Sequence, residues 1–326
     1  MNFVDRITCK LENDLQGIVE SLVRCFTNKN ILKTSDPILN WIEFVIHLIE
    51  PKEREVHFSK SFWDCAPKEC WSNIHFLADK FEYGQDVNPF QSTILEDILI
   101  GKKTDLLWND WEIHHFHLSN SFSKDSYFAD RVGYHLFAIV GDYFTCFIDA
   151  RPHAKGDEYA DPELYKTICD SWPELVDDLR GITPDKDWSK EEINRFRKKG
   201  LNVCYSFNGQ AKALGGNLSP SGRPIRRIML KDKIIWELDA LSKRLADYSE
   251  KELINYDENV FSIEKKTDGL QLYCSLNSEY AVLDKDSYPT INKFFCEKWV
   301  DDLVEHAWLC RQKNFVSRIC VRDGSP

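Results

Sequence analysis

Residues 111–118, Trp111-Glu112-Ile113-His114-His115-Phe116-His117-Leu118, concentrate side chains that can do chemistry. Read as a strand, the stretch puts His115 and His117 on one face and His114 on the other. Two same-face imidazoles then lie about 7 Å apart along the chain. That separation suits an acid and a base on opposite sides of a phosphate. It suits two ligands of one metal equally well. Arg131 follows, then His135 within Tyr134–Val140, and then Asp149, Arg151, His153 and Lys155 at the end of a third apolar run.

Three chemistries fit these residue types. Metal-independent RNA cleavage needs a base for the 2′-hydroxyl, an acid for the leaving oxygen and cations for developing charge. His117 and His153 would be acid and base, with His115 and Asp149 assisting. Arg131 would stabilise the transition state, and Arg151 and Lys155 would hold the phosphate. A metal site would instead use His115, His117, Asp149 and His153 as nitrogen and oxygen ligands. A phosphoesterase with paired His-x-Ser/Thr motifs finds one copy, His117-Leu118-Ser119, and no second. A histidine-rich core strand with a plain Asp149–Arg151 surface pair stands beside all three.

The elements that must position these residues are legible from periodicity. Leu11, Leu15, Ile18, Val19 and Leu22 recur at helical spacing, and Ser35-Asp36-Pro37 opens a second helix. Glu55–Phe58 is a short strand candidate. Residues 68–81 and 91–100 read as helices, the second stopping at Gly101. Residues 111–118 begin an antiparallel β-meander, continued by Tyr134–Val140 and Phe144–Ala150 around a tight turn at Gly141-Asp142-Tyr143. Asp161-Pro162 starts a helix over 163–171, with a further helical segment expected over 174–180. Ser189 to Glu192 has capping-box spacing. Asn208-Gly209 and Asp268-Gly269 mark hairpins. Long helices are expected over 224–247 and 287–315. The fold class is α+β, in three parts: a helical N-terminal region (1–104), a central sheet with the candidate site (105–225), and a C-terminal helix–hairpin–helix region (226–326).

The chain of 326 residues carries 42 Lys and Arg against 53 Asp and Glu, a net charge of −11. That balance argues against a generally basic nucleic-acid coat but leaves room for a local patch. Arg223, Arg226 and Arg227 form one, beside the loop 215–223, which lacks the Gly-Lys-Ser/Thr of a phosphate loop. They are expected to contact RNA or an acidic partner, and a solvated helix start is the alternative. Eleven scattered cysteines without a Cys-x-x-Cys point to reduced thiols and a cytoplasmic protein. From an acidic N-terminus and the lack of a long apolar run, neither a signal peptide nor a membrane span is expected.

Asp110-Trp111-Glu112-Ile113-His114-His115-Phe116-His117-Leu118, Leu136–Val140 and Ser171-Trp172-Pro173-Glu174 resemble a group of uncharacterised bacterial proteins, over roughly residues 85–225. That resemblance implies no activity. More distantly, the meander with Arg131 and the Phe147–His153 strand resembles the RelE-type and barnase-type ribonuclease toxins. It implies helices packed on a sheet whose face carries His, Arg and Lys, although this chain is longer and acidic. The leading expectation is therefore a metal-independent, cofactor-free ribonuclease of toxin or phage-defence type, with RNA or an antitoxin-like protein as partner. A binding or regulatory module and a metal-dependent hydrolase at the His115/His117 strand are the alternatives.

Overall fold

Apolar residues are needed on both faces of the central strands, because helices cover the sheet on each side. A computed structural model describes residues 1–131, 133–153, 159–184, 186–251, 257–267 and 269–311. The fold is α+β. In chain order the elements begin α1 (Phe3–Phe26), α2 (Pro37–His47), β1 (Glu55–Phe58), α3 (Phe62–Cys65), α4 (Trp71–Glu82), α5 (Ile94–Leu99) and α6 (Leu106–Trp111). The central part holds β2 (Ile113–His117), β3 (Tyr134–Val140), β4 (Phe144–Pro152), α7 (Pro162–Ser171), β5 (Asp177–Asp178), α8 (Lys190–Lys198), β6 (Tyr205–Phe207) and β7 (Gln210–Ala213). The remainder is α9 (Ile225–Lys251), β8 (Phe261–Lys266), β9 (Gly269–Cys274), β10 (Glu279–Val282), α10 (Pro289–Phe295) and α11 (Lys298–Arg311). Among the described residues no helix is long and apolar enough to cross a membrane.

The chain forms two compact units. The first comprises Met1–His47, Ile98–Lys102 and Arg226–Leu309. Its α1 starts on a capping box in which Asn2 and Asp5 cap each other's backbone N–H. The helix buries Ile7, Leu11, Leu15, Val19, Val23 and Phe26, and Asp14 accepts the Ile263 N–H of β8. The hairpin expected around residue 268 gains a third strand, giving the order β10-β9-β8. The expected C-terminal helix is two helices, separated at Cys296 and Glu297.

The second unit comprises Leu48–Asp97, Lys103–Ile225 and, of the described residues, Cys310 and Arg311. Residues 48–97 thus belong with the central sheet, because β1 pairs in parallel with β4. The strand order is β1-β4-β3-β2, the rest antiparallel. On one face Phe116, Leu136, Ala138, Phe147 and Ala150 pack with Ile74, Leu77 and Phe81 of α4. On the other, Ile113, Phe137 and Ile148 pack with Leu164, Tyr165 and Ile168 of α7 and Ile193 of α8. The histidines continue this second face.

Two local features differ from the sequence reading. Trp111 is the last residue of α6, not part of the strand; Asp105 caps that helix by accepting the Leu107 and Trp108 N–H groups. Glu112 turns the chain in the left-handed region, at φ 55°, and β2 starts at Ile113. Residues 174–180 form a 3-10 turn (Pro173–Leu175) and the short β5 instead of a helix. Pro173 has no N–H to continue the ladder of α7.

Phe147→Ala is expected to lower unfolding free energy by about 3–5 kcal/mol, since its ring is fully buried between sheet and helices. Tyr143→Ala, at an 81% exposed turn residue, should change it by less than about 0.5 kcal/mol. Urea denaturation of the two variants checks the pair.

Candidate metal centre

Register decides which polar side chains meet. His117 lies opposite His135, which lies opposite Arg151; His115 lies opposite Phe137, which lies opposite Asp149. The register shifts between Phe137 and Ala138, so Ile148 is an extra residue in β4. This bulge puts Asp149 and Arg151 on the histidine face. The same parity carries past the strand to His153, whose N–H donates to the Gly133 carbonyl at 2.6 Å. Without the extra residue, Ala150 would take the place of Arg151.

Three imidazoles converge as a result. The ring centroids are 4.6 Å apart for His117 and His135, 4.2 Å for His135 and His153, and 5.9 Å for His117 and His153. Each ring offers a nitrogen, and the three nitrogens lie within 4.8 Å of one another. Among the described residues this is the one His, Cys, Asp or Glu cluster with metal-ligand spacing. His135 and His117 are buried, 1% and 4% exposed, while His153 is exposed. His117 Nδ1 and His135 Nε2 are both buried without a hydrogen-bond partner. An orphaned buried nitrogen is costly, and a cation among the three rings would offer such nitrogens a partner.

Burial and neighbouring charge keep the His117 and His135 rings neutral. Burial, then the neighbouring His115, Arg131 and His153, brings His117 down to about 4. Burial, then His115, His117, His153 and Arg131, brings His135 down to about 2. A neutral imidazole is the metal-binding form. The Tyr159 hydroxyl and His135 Nδ1 share a 3.3 Å hydrogen bond.

The other expected site residues have separate fates. His115 Nδ1 sits 3.5 Å from Asp105 Oδ2, and its ring is 5.4 Å from that of His135. Burial lowers its pKa, against the pull of Asp105. His114, on the opposite face, accepts the Trp108 indole N–H at 3.0 Å and is structural. Arg131 is exposed and donates to Thr93 Oγ1. Asp149 and Arg151 pair at 2.5 Å, and Arg151 also holds Asp161, the cap of α7. Asp149 therefore serves an ion-pair cluster in place of the metal set expected for it. Lys155 lies outside the described residues. Arg223 closes the 219–223 turn through its carbonyl, which accepts from Ser219. Arg226 and Arg227 belong to the first unit, where Arg227 pairs with the buried Glu43 at 2.8 Å. The described cysteines are free thiols.

Sequence reasoning passed over His135 as a ligand. Its alternation within β3 put it on a definite face, but the long 118–133 connection hid which residue of β2 it would meet. Tyr159 carried no sequence signal. No protein-family model, no curated protein and no solved structure matches the chain.

His117 and His135 bind protons more readily in the unfolded chain, near the ordinary 6.5, than in the folded one. Stability of the metal-free protein should therefore be full above pH 6.5 and fall as pH drops towards 4. Each group contributes up to about 1.4 kcal/mol per pH unit. His135→Leu should flatten this slope in denaturation curves measured from pH 7 to 4; an unchanged slope would exclude His135 as its source.

Proposed function

We propose that this chain is a metal-dependent hydrolase whose metal is held by His117, His135 and His153. The observation that carries this reading is the set of three convergent imidazoles, two of them buried, neutral and with orphaned nitrogens. Three protein nitrogens with an outward-facing side suit a catalytic zinc, which keeps its fourth position for water or substrate. The exposed third ligand, His153, marks that outward side. When bound, such a metal lowers the pKa of its water towards about 7 and polarises the scissile bond.

The chain's own groups supply the rest. His115, backed by Asp105, is a base one ring away from His135. Arg131 is a cation close enough to disfavour protonation of both His117 and His135. It favours an anionic substrate, such as a phosphodiester or a carboxylate ester.

The same geometry weakens metal-free acid–base cleavage by His117 and His153. The His117 and His153 ring centroids are 5.9 Å apart and that of His135 is within 4.6 Å of both, which crowds the space a phosphate would need between acid and base. With burial bringing it down to about 4, His117 is not an imidazolium at neutral pH and is poorly suited to be the general acid.

Protein purified without chelator should carry a stoichiometric transition metal by elemental analysis, and His117→Ala and His135→Ala should lose it. Hydrolysis of bis-p-nitrophenyl phosphate, p-nitrophenyl acetate or total RNA should stop in EDTA and return with Zn²⁺. RNA cleavage that persists in EDTA would return the site to the metal-independent ribonuclease reading. Metal-free protein whose thermal midpoint ignores added Zn²⁺ would sink the metal centre itself.

A further inference from the structure

Beneath the imidazoles, α8 sends one cation into the interior. Arg197 is 2% exposed, whereas its neighbours Lys198 and Lys199 are exposed. Its Nε donates to Asp110 Oδ2 at 2.7 Å, and the Tyr205 hydroxyl donates to the same oxygen at 2.5 Å. The guanidinium lies 4.0 Å over the Trp111 ring. Its Nη1 donates to the Tyr159 carbonyl at 2.8 Å, and its Nη2 is buried without a hydrogen-bond partner. Tyr159 in turn shares its hydroxyl with His135 Nδ1.

Helix-end electrostatics do not account for this arrangement, because Lys198 and Lys199 complement the helix C-terminus from solvent. Burying an ion pair costs desolvation, and apolar residues of similar volume would often stabilise as well or better. An orphaned Nη2 adds to that cost. What the pair achieves is positional. It fixes the backbone of Tyr159, and so the hydroxyl that meets His135.

We propose that the Asp110–Arg197 ion pair is a positioning device for the metal centre, acting through Tyr159 on His135. A hydrogen bond from Nδ1–H to the Tyr159 oxygen holds the ring in the tautomer whose Nε2 is the metal donor. Arg197 and Asp110 touch neither metal nor substrate. This inference rests on the assignment of His117, His135 and His153 as ligands.

The test is Zn²⁺ affinity by competition with a chromophoric chelator, together with circular dichroism of the metal-free proteins. Tyr159→Phe removes one oxygen and should weaken Zn²⁺ binding by about 10–100-fold. Its metal-free fold should be unchanged. Arg197→Met should weaken binding in the same direction, and the double variant should bind no worse than Tyr159→Phe alone, the signature of two residues in one chain of contacts. Arg197→Lys, too short to serve both Asp110 and the Tyr159 carbonyl, is read in the same way if Arg197→Met does not fold. Wild-type affinity in Tyr159→Phe would overturn the proposal, as would losses that add in the double variant. Absence of Zn²⁺ binding by the wild-type protein is a different result and removes the metal centre instead.

Discussion

One inserted residue, Ile148, governs the character of the central sheet. Strand side chains alternate strictly, so a single extra position exchanges the faces for everything beyond it. Before the bulge, Phe147 faces α4; after it, Asp149, Arg151 and His153 join His117 and His135. The apolar packing of both faces survives because Ile148 itself joins the cluster that includes Leu164 and Ile168.

The meander, the turn at residues 141–143, the capping box at Ser189 and the hairpin at Asn208-Gly209 were all legible in the sequence. Each is a local pattern with a local cause: alternation, a two- to three-residue reversal, or a hydroxyl and a carboxylate three positions apart. The start of β2 was less legible, because Trp111 fits the alternation although Asp105 and the left-handed Glu112 end a helix there. His115, His117 and His153 stood out by type and spacing. His135 joins them only through the pairing of β2 with β3, and a connection of that length leaves the register open. The Asp149–Arg151 pair was equally plausible as chemistry or as scaffold. Its contact with Asp161, the cap of α7, ties the pair to the scaffold.

The charge arrangement around the imidazoles explains why their neutrality matters. Burial and mutual repulsion both oppose a proton on His117 and His135. The folded state thus maintains bare nitrogen lone pairs in a position where water does not reach them. Such a state is unfavourable by itself and is held by the packing of the two helical layers on the sheet. A bound cation would turn that cost into a stabilising contribution.

The proposed ligands lie at even intervals on neighbouring stretches of one meander, whereas Arg197 arrives from α8, much later in the chain. Synthesis from the N-terminus therefore delivers the complete donor set before the residue that orients it. A nascent chain would hold three loosely arranged imidazoles first. On the proposed assignment it would acquire their final geometry only when α8 docks, so metal capture and metal retention would fall to different stages of the protein's making.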